Sequence, residues 1–542
     1  HGIVSQLVSN GSRTADVDEQ KNYIDYQATI VPFAASMRNR KNSRIFQKKT
    51  IKDIFADLFG QHNVAFSDKT SKNYPKYEYC VQYQESDFDF IQRLLQSEGI
   101  FYFFEHTKSN HTLVLADDIT AYEMCGEAKV VHSTGHLSES HVSRWQGGLS
   151  LAPGSFKRLG YDFKQPSRYP DAEQANAELP TQSVSEIFEY TAEAECHPRA
   201  ANLASVQLES LQRDMKLSSG RSDCRSFSVG KLFSFKKHED PRLEGKTFAI
   251  TSMMTSIVVP NQSGAAQASS EEVYSNHFEC VPKDIPYRAQ VSKKKPVING
   301  VQTAIVTGDS ADEIMIDQYG RVKVQFDWDR EGKKDSKSSC WIRVAQNWAG
   351  KKWGAFFFPR VGQEVLVDFI NGDPDQPIIS GAVYNADLMP PYALPGEKTQ
   401  SGIKTRSTKE GGADNFNELR FEDKKGSELV YMQAEKDKQL YVKNDQNEKI
   451  DNDRNVEILN NDNLKVTANR VAEMGENDTL KVGKTLNIEA GDEIVIKTGS
   501  AQIKMSSSGN ITIEGTNIDI KGSNVKVDGS AITLSAGVIK LN

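Results

Sequence analysis

The sequence has no apolar run approaching the roughly 18 residues that a bilayer-spanning helix needs,. It has no excess of positive charge either. Lys and Arg number 66 against 73 Asp and Glu, a formal net charge of −7, which argues against nucleic acid as a main partner because phosphate binding needs a concentrated basic face. The one basic run, Lys293-Lys294-Lys295, is short, abuts Pro296 and reads as a solvated linker. Cysteine is scarce: Cys80, Cys125, Cys196, Cys224, Cys280 and Cys340 are widely scattered, with no CxxC pair. That spacing makes neither a disulfide framework nor a zinc site, and reduced thiols in a cytoplasmic protein are the default reading. The opening His1-Gly2-Ile3-Val4 lacks an initiator Met and the basic and apolar regions of a signal peptide,. The expectation is that the sequence begins part-way through a domain.

What is present is a long chain of 542 residues with 38 % hydrophobic and 26 % charged content. That length implies three or four modules with a polar surface. Up to about residue 283 the pattern is mixed α and β. Thr50 precedes Ile51, Ile54, Phe55, Leu58 and Phe59, a spacing that stacks apolar groups on one helical face, with Gly60 placed to end the helix. Ser86 and Asp89 make a capping-box pattern before Phe90, Ile91, Leu94 and Leu95, and Gly99 is placed for a left-handed cap. Residues 100–104 then read as a strand, residues 200–215 as a third helix, and residues 261–270 as a loop.

From about Tyr287 the period changes to two. Val322, Val324, Phe326 and Trp328 alternate with polar residues as a half-buried strand. Further strands are predicted over 341–345, 355–358, 364–369 and 378–384. Gly332, Gly350, Pro359, Gly362 and Gly372-Asp373-Pro374 supply turns between them. Short strands with hairpin-length connections suggest a small barrel of the OB type, ended by Pro390 and Pro391. Residues 393–430 read as a partly irregular connector.

Beyond Ala434 the composition shifts to Asn, Asp, Lys and Glu, which alone would suggest disorder. Repeats say otherwise. Gly475, Gly483, Gly491, Gly499 and Gly515 keep an eight-residue frame, with Ser507 in the empty slot. Apolar pairs recur every seven residues: Ile511/Ile513, Ile518/Ile520, Val525/Val527, Ile532/Leu534 and Ile539/Leu541. In an apolar-polar-apolar strand both apolar side chains point to one face, and glycine permits the corner that follows. Units this thin bury their apolar face only by stacking, so a β-helix or β-prism is expected. Three units could make one rung of a single-chain helix, leaving an exposed edge at each end. Three intertwined chains would close every rung. The periodicity favours three chains without deciding.

Four stretches carry a resemblance to a known family. They are Gln82-Tyr83-Gln84-Glu85-Ser86-Asp87-Phe88-Asp89-Phe90 with Glu98-Gly99-Ile100; Asp317-Gln318-Tyr319-Gly320-Arg321-Val322 with Trp328-Asp329-Arg330-Glu331-Gly332; Ser339-Cys340-Trp341-Ile342-Arg343-Val344 with Pro359-Arg360-Val361-Gly362; and Gly372-Asp373-Pro374-Asp375-Gln376-Pro377 with Asn417-Glu418-Leu419-Arg420-Phe421-Glu422-Asp423. The chain resembles VgrG, the spike of bacterial type VI secretion systems, itself similar to the hub and needle proteins of contractile phage tails. The resemblance implies a mainly β, multidomain fold: an α+β phage-hub-like ring domain (1–283, its front missing), an OB-fold collar (284–392), a connector (393–434) and an intertwined trimeric β-helix needle (435–542). It implies a homotrimer that is cytoplasmic during assembly and then secreted through the apparatus. The implied partners are an Hcp-like tail-tube hexamer, baseplate components, effector or adaptor proteins, and a PAAR-repeat protein capping Val538, Ile539, Lys540, Leu541 and Asn542. On this reading Ile511, Ile513, Ile518, Ile520, Val525, Val527, Ile532 and Leu534 line the needle interior, and the five glycines make its corners.

No catalytic domain or cofactor is expected. About 45 residues separate Pro391 from the repeats, too few for an inserted cell-wall hydrolase, the rival reading for a needle of this kind. His132, His136 and His141 lack a ligand pattern. Asp327-Trp328-Asp329 and Asp373-Pro374-Asp375 read as turns rather than metal sites, and Gly396-Glu397-Lys398-Thr399 lacks the upstream glycine of a phosphate loop. Trp328, Trp341, Trp348 and Trp353 read as barrel core or subunit contacts before sugar platforms.

Overall fold

The computed structural model describes residues 1–16, 21–135, 137–168, 171–175, 185–191, 197–258, 274–309 and 311–540. The predicted loop at 261–270, His136 and Cys196 lie outside them. The chain divides into two compact units, His1–Gln439 and Leu440–Asn542, and strands predominate over helices throughout.

Among the described residues three α-helices stand in the first unit. Helix α1 (Ile51–Gln61) is capped reciprocally by Thr50 and Asp53, and it buries the five apolar residues its spacing predicts. It does not stop at Gly60. The left-handed residue is Asn63, φ +53°, and the last turn closes with Val64 N–H donating to the Phe59 carbonyl at 2.9 Å. Asn is one of the few non-glycine residues that adopts this conformation readily. Helix α2 (Asp87–Ser97) begins at Ser86, whose hydroxyl accepts from the Asp89 N–H. The Asp89 carboxylate answers the Ser86 hydroxyl at 2.8 Å and Lys293 at 2.9 Å, so the box is only half built. Gly99 takes φ +75°, and a Cβ there would lie 2.9 Å from a Val206 methyl. Helix α3 (His197–Gln212) packs Ala200, Ala204 and Leu208 against Phe156 and Ala172 of a small three-stranded sheet.

Two short sheets, 41–46 with 80–86 and 66–68 with 101–106 and 111–116, surround α1 and α2. The larger element, which the sequence reading missed, is a closed barrel of six strands: Ser218–Ser222, Tyr274–Pro282, Thr247–Ile257, Lys231–Lys237, Glu123–His132 and His141–Gly147, in that spatial order. Phe227, Phe233, Phe235, Phe248 and Phe278 fill it together with the buried thiols of Cys125, Cys224 and Cys280. Burial pushes the Cys224 thiol up to about 12, so these cysteines behave as small apolar fillers.

The collar is a five-stranded sheet in the order 323–326, 302–307, 364–369, 377–382, 343–344. Its outer strands meet at one antiparallel bridge. Val322 N–H donates to the Ile342 carbonyl at 3.0 Å and Ile342 N–H returns to Val322 at 2.8 Å. Two bonds thus join the sheet's free edges. One predicted strand is corrected: residues 355–358 are not in the sheet, and Gln302–Thr307 takes the place. Phe356 and Phe357 are exposed, and the Gln346 amide clamps the Phe357 backbone with bonds of 2.6 and 2.8 Å. Ala304 and Val306, in contrast, are buried in the collar core. Within the stretch read as a connector, residues 400–404, 418–422 and 429–433 form an antiparallel three-stranded sheet.

Candidate functional site: a hub–collar joint and a repeat without a core

The family-like stretches of the first domain and the collar meet at one joint. Arg44, inside the hub, donates to Asp87 at 2.6 Å with both side chains buried. Gln82 Nε2 and His62 Nε2 reach the same carboxylate, each at 2.8 Å. Burial opposes ionisation of Asp87, but the hydrogen bonds from His62 and Gln82 and the charge of Arg44 outweigh it, so its pKa is lowered,. A second Arg44 nitrogen lies 3.6 Å from Glu331 of the collar, and Arg330 donates to the Asn42 side chain at 2.9 Å.

Across the same joint the Val81 N–H donates to Asp375 at 2.6 Å. Lys295 bridges Asp373 and Asp375 at 2.7 and 2.6 Å. The Asp-Pro-Asp turn therefore holds a lysine and a hub amide. Tyr83 and Ile45 pack against the collar core. Gln302 donates to the Tyr83 hydroxyl and accepts from the Trp328 indole, each at 2.8 Å. Trp328 stacks on Phe326 at 4.9 Å, and Trp341 is half-buried. Trp348 and Trp353 instead pair edge to face on an exposed hairpin. Of the His trio, His132 stacks on His238 at 4.5 Å, whereas His141 faces Asp223 at 3.6 Å. Among the described residues no cluster of three or more His, Cys, Asp or Glu could hold a metal.

The second unit has different physics: none of its described residues is buried. Residues 493–498, 501–506 and 511–514 form an antiparallel meander. Its register aligns Ile494, Met505 and Ile511 in one row and Ile496, Ile503 and Ile513 in the next. Cross-strand partners share a face, so six aliphatic side chains line one uncovered side. Four of them, Ile494, Ile496, Ile503 and Met505, were not singled out from sequence, although the same apolar alternation marks them. Ile518, Ile520, Val525, Val527, Ile532 and Leu534 follow outside any strand, with no ladder partner among the described residues. With Ile511 and Ile513 they are between 51 % and 71 % exposed. Gly499 takes φ +54° in the first hairpin turn. Gly475, Gly483 and Gly491 have open space around them, and Gly515 makes only ordinary contacts. Val538, Ile539 and Lys540 are exposed; Leu541 and Asn542 lie outside the described residues.

A hub, an OB-type collar and a repeat with no buried side chain among its described residues follow one another along the chain. Family profiles agree. The phage tail baseplate hub (GPD) matches residues 1–260, the type VI secretion system/phage-baseplate injector OB domain 302–384, and the bacteriophage T4 gp5 C-terminal trimerisation domain 401–514. Two Pseudomonas aeruginosa type VI secretion system spike proteins, VgrG1c and VgrG1a, are each 36 % identical over 82 % of this chain. The match spans 61 % of the first and 69 % of the second, so the chain covers about three-fifths of VgrG1c. Among solved structures, an E. coli type VI component described as similar to T4 tail proteins gp27 and gp5 shares 20 % identity, with a TM-score of 0.49 over 71 % of this chain and 83 % of that one. The chain belongs to the VgrG family of type VI secretion system spike proteins. Among its described residues no helix is long and apolar enough to cross a membrane.

Proposed function

We propose that this chain is a non-enzymatic structural spike: a homotrimer at the tip of a tail tube that punctures target envelopes and carries effectors. The observation that carries this reading is the second unit, whose aliphatic rows and dyads have no shelter among the described residues of one chain. Fully burying a Val, Leu or Ile side chain contributes about 1.5–3 kcal/mol, so a run of exposed apolar side chains of this kind favours association strongly. The match to a trimerisation domain, which ends at 514 and so includes only the first dyad, supports three copies. The needle interior would be Ile511, Ile513, Ile518, Ile520, Val525, Val527, Ile532 and Leu534, with backbone ladders completed between copies.

On this proposal the modules are a ring domain (1–283), a collar (284–392), a connector (393–434) and a needle (435–542). Kinship with VgrG supports a ring that docks on an Hcp-like hexameric tube, baseplate contacts, a PAAR-repeat cap on 538–542, and release through the apparatus. The hub–collar joint would pass axial load from ring to collar through paired, buried groups.

Light scattering tests the core of this reading. A mass of about three times 60.4 kDa is expected, and a stable, folded single copy would overturn it. The rival, a needle with cell-wall hydrolase activity, is tested by a zymogram on purified peptidoglycan, where no clearing is expected.

A further inference from the structure

One end of the six-stranded barrel opens into a cavity of about 930 Å³, a size that can take several residues of a ligand. Trp145, Leu243 and Phe248 give it an apolar floor. The Trp145 ring stands edge-on to Phe235 at 4.9 Å and to Phe248 at 5.0 Å. Its indole N–H has no acceptor among the described residues.

His238 also lines this cavity and is only 8 % exposed. The Asp240 N–H donates to His238 Nδ1 at 2.9 Å, which leaves the ring proton on Nε2. That Nε2 is buried without a partner. Burial, reinforced by the neighbouring His132, lowers the His238 pKa, so the ring is a neutral donor at neutral pH. An orphaned buried donor calls for an explanation, and an acceptor on a bound ligand supplies one.

The rim adds charge. Lys216, Lys246 and Lys283 are exposed at the mouth and carry no ion pair among the described residues, while Arg242 is held by Asp240 at 2.8 Å. With Asp284 this makes four cations against two carboxylates, a local excess of positive charge on a chain whose net charge is −7.

We infer that the barrel mouth is a docking site for an acidic peptide segment with an aromatic or aliphatic anchor. The anchor lies on Trp145 and Phe248, a backbone or side-chain oxygen accepts from His238, and flanking carboxylates meet the three lysines. That the segment belongs to a carried protein rests on the spike reading; the binding itself does not.

The test uses the full chain and fluorescence anisotropy with a labelled, end-blocked Asp-Glu-Phe-Asp-Glu peptide, against its Asn-Gln-Phe-Asn-Gln counterpart. The acidic peptide should bind at least tenfold tighter. Lys246→Glu with Lys283→Glu, both on the surface, should weaken it at least tenfold. Equal affinity for the two peptides, no binding, or unchanged affinity in the double variant would each overturn the site. So would displacement of the peptide by an oligothymidine at lower concentration than by unlabelled peptide. Light scattering on the same sample separates the two readings: a trimer that ignores the peptide sinks this site alone, and a monomer that binds it sinks the spike alone.

Discussion

At the scale of single residues, Asp87 concentrates the most consequence. Three donors from Arg44, Gln82 and His62 converge on one buried carboxylate. Asp87→Asn would leave the buried Arg44 guanidinium with only the exposed Glu331 carboxylate at 3.6 Å, and breaking a buried pair costs about 3–5 kcal/mol. A urea titration at pH 7 should show the loss. Because the folded pKa of Asp87 is depressed, its contribution is present above the ordinary aspartate value of about 3.9 and is lost as pH falls through the folded value. Wild-type stability should therefore drop in acid more steeply than that of the Asp87→Asn variant. Parallel titrations at pH 7, 5 and 3 check the sign, and equal slopes would remove Asp87 from the account.

At the scale of elements, the joint between hub and collar depends on a turn reaching a strand. Asp375 accepts from the Val81 amide at the start of the strand Cys80–Ser86 while sharing Lys295 with Asp373. Asp375→Ala leaves that amide without its acceptor, a cost of about 1–3 kcal/mol. Hydrogen exchange should speed up at Val81 while the buried collar amide of Val324, held by the Ser339 hydroxyl at 2.9 Å, stays protected. Uniform exchange across both would mean that the turn does not fasten the joint. The helices here were legible because caps and apolar spacing are local signals, as Thr50 and Gly99 illustrate. The six-stranded barrel was not, because its strands come from positions as far apart as 123 and 282 and two of its pairings are parallel. Nothing within a short window reports such a closure. Gln302–Thr307 was lost for another reason: it precedes the turn-rich region from which the barrel was read.

At the scale of the whole molecule, assembly depends on where the C-terminal dyads go. Ile518→Asp with Ile520→Asp would place charge where three copies are proposed to bury apolar surface, and an uncompensated buried charge is costly enough to prevent association. Light scattering should show the wild-type mass reduced to that of one copy. A heat-stable trimer from the double variant would show that these residues face water.

Periodicity in the sequence alone determined that the last hundred residues alternate apolar and polar positions with glycine punctuation, and the motifs of the hub and collar carried the family resemblance. Local patterns do this because side-chain direction in a strand depends only on position along the chain. Tertiary structure decided what those motifs do. It brought Gln82, Glu331 and Asp375 from three separate stretches to one joint, closed the barrel that frames the His238 cavity, and left no described residue of the second unit buried. Long-range pairing and burial are properties of the assembled chain, and no stretch of sequence contains them.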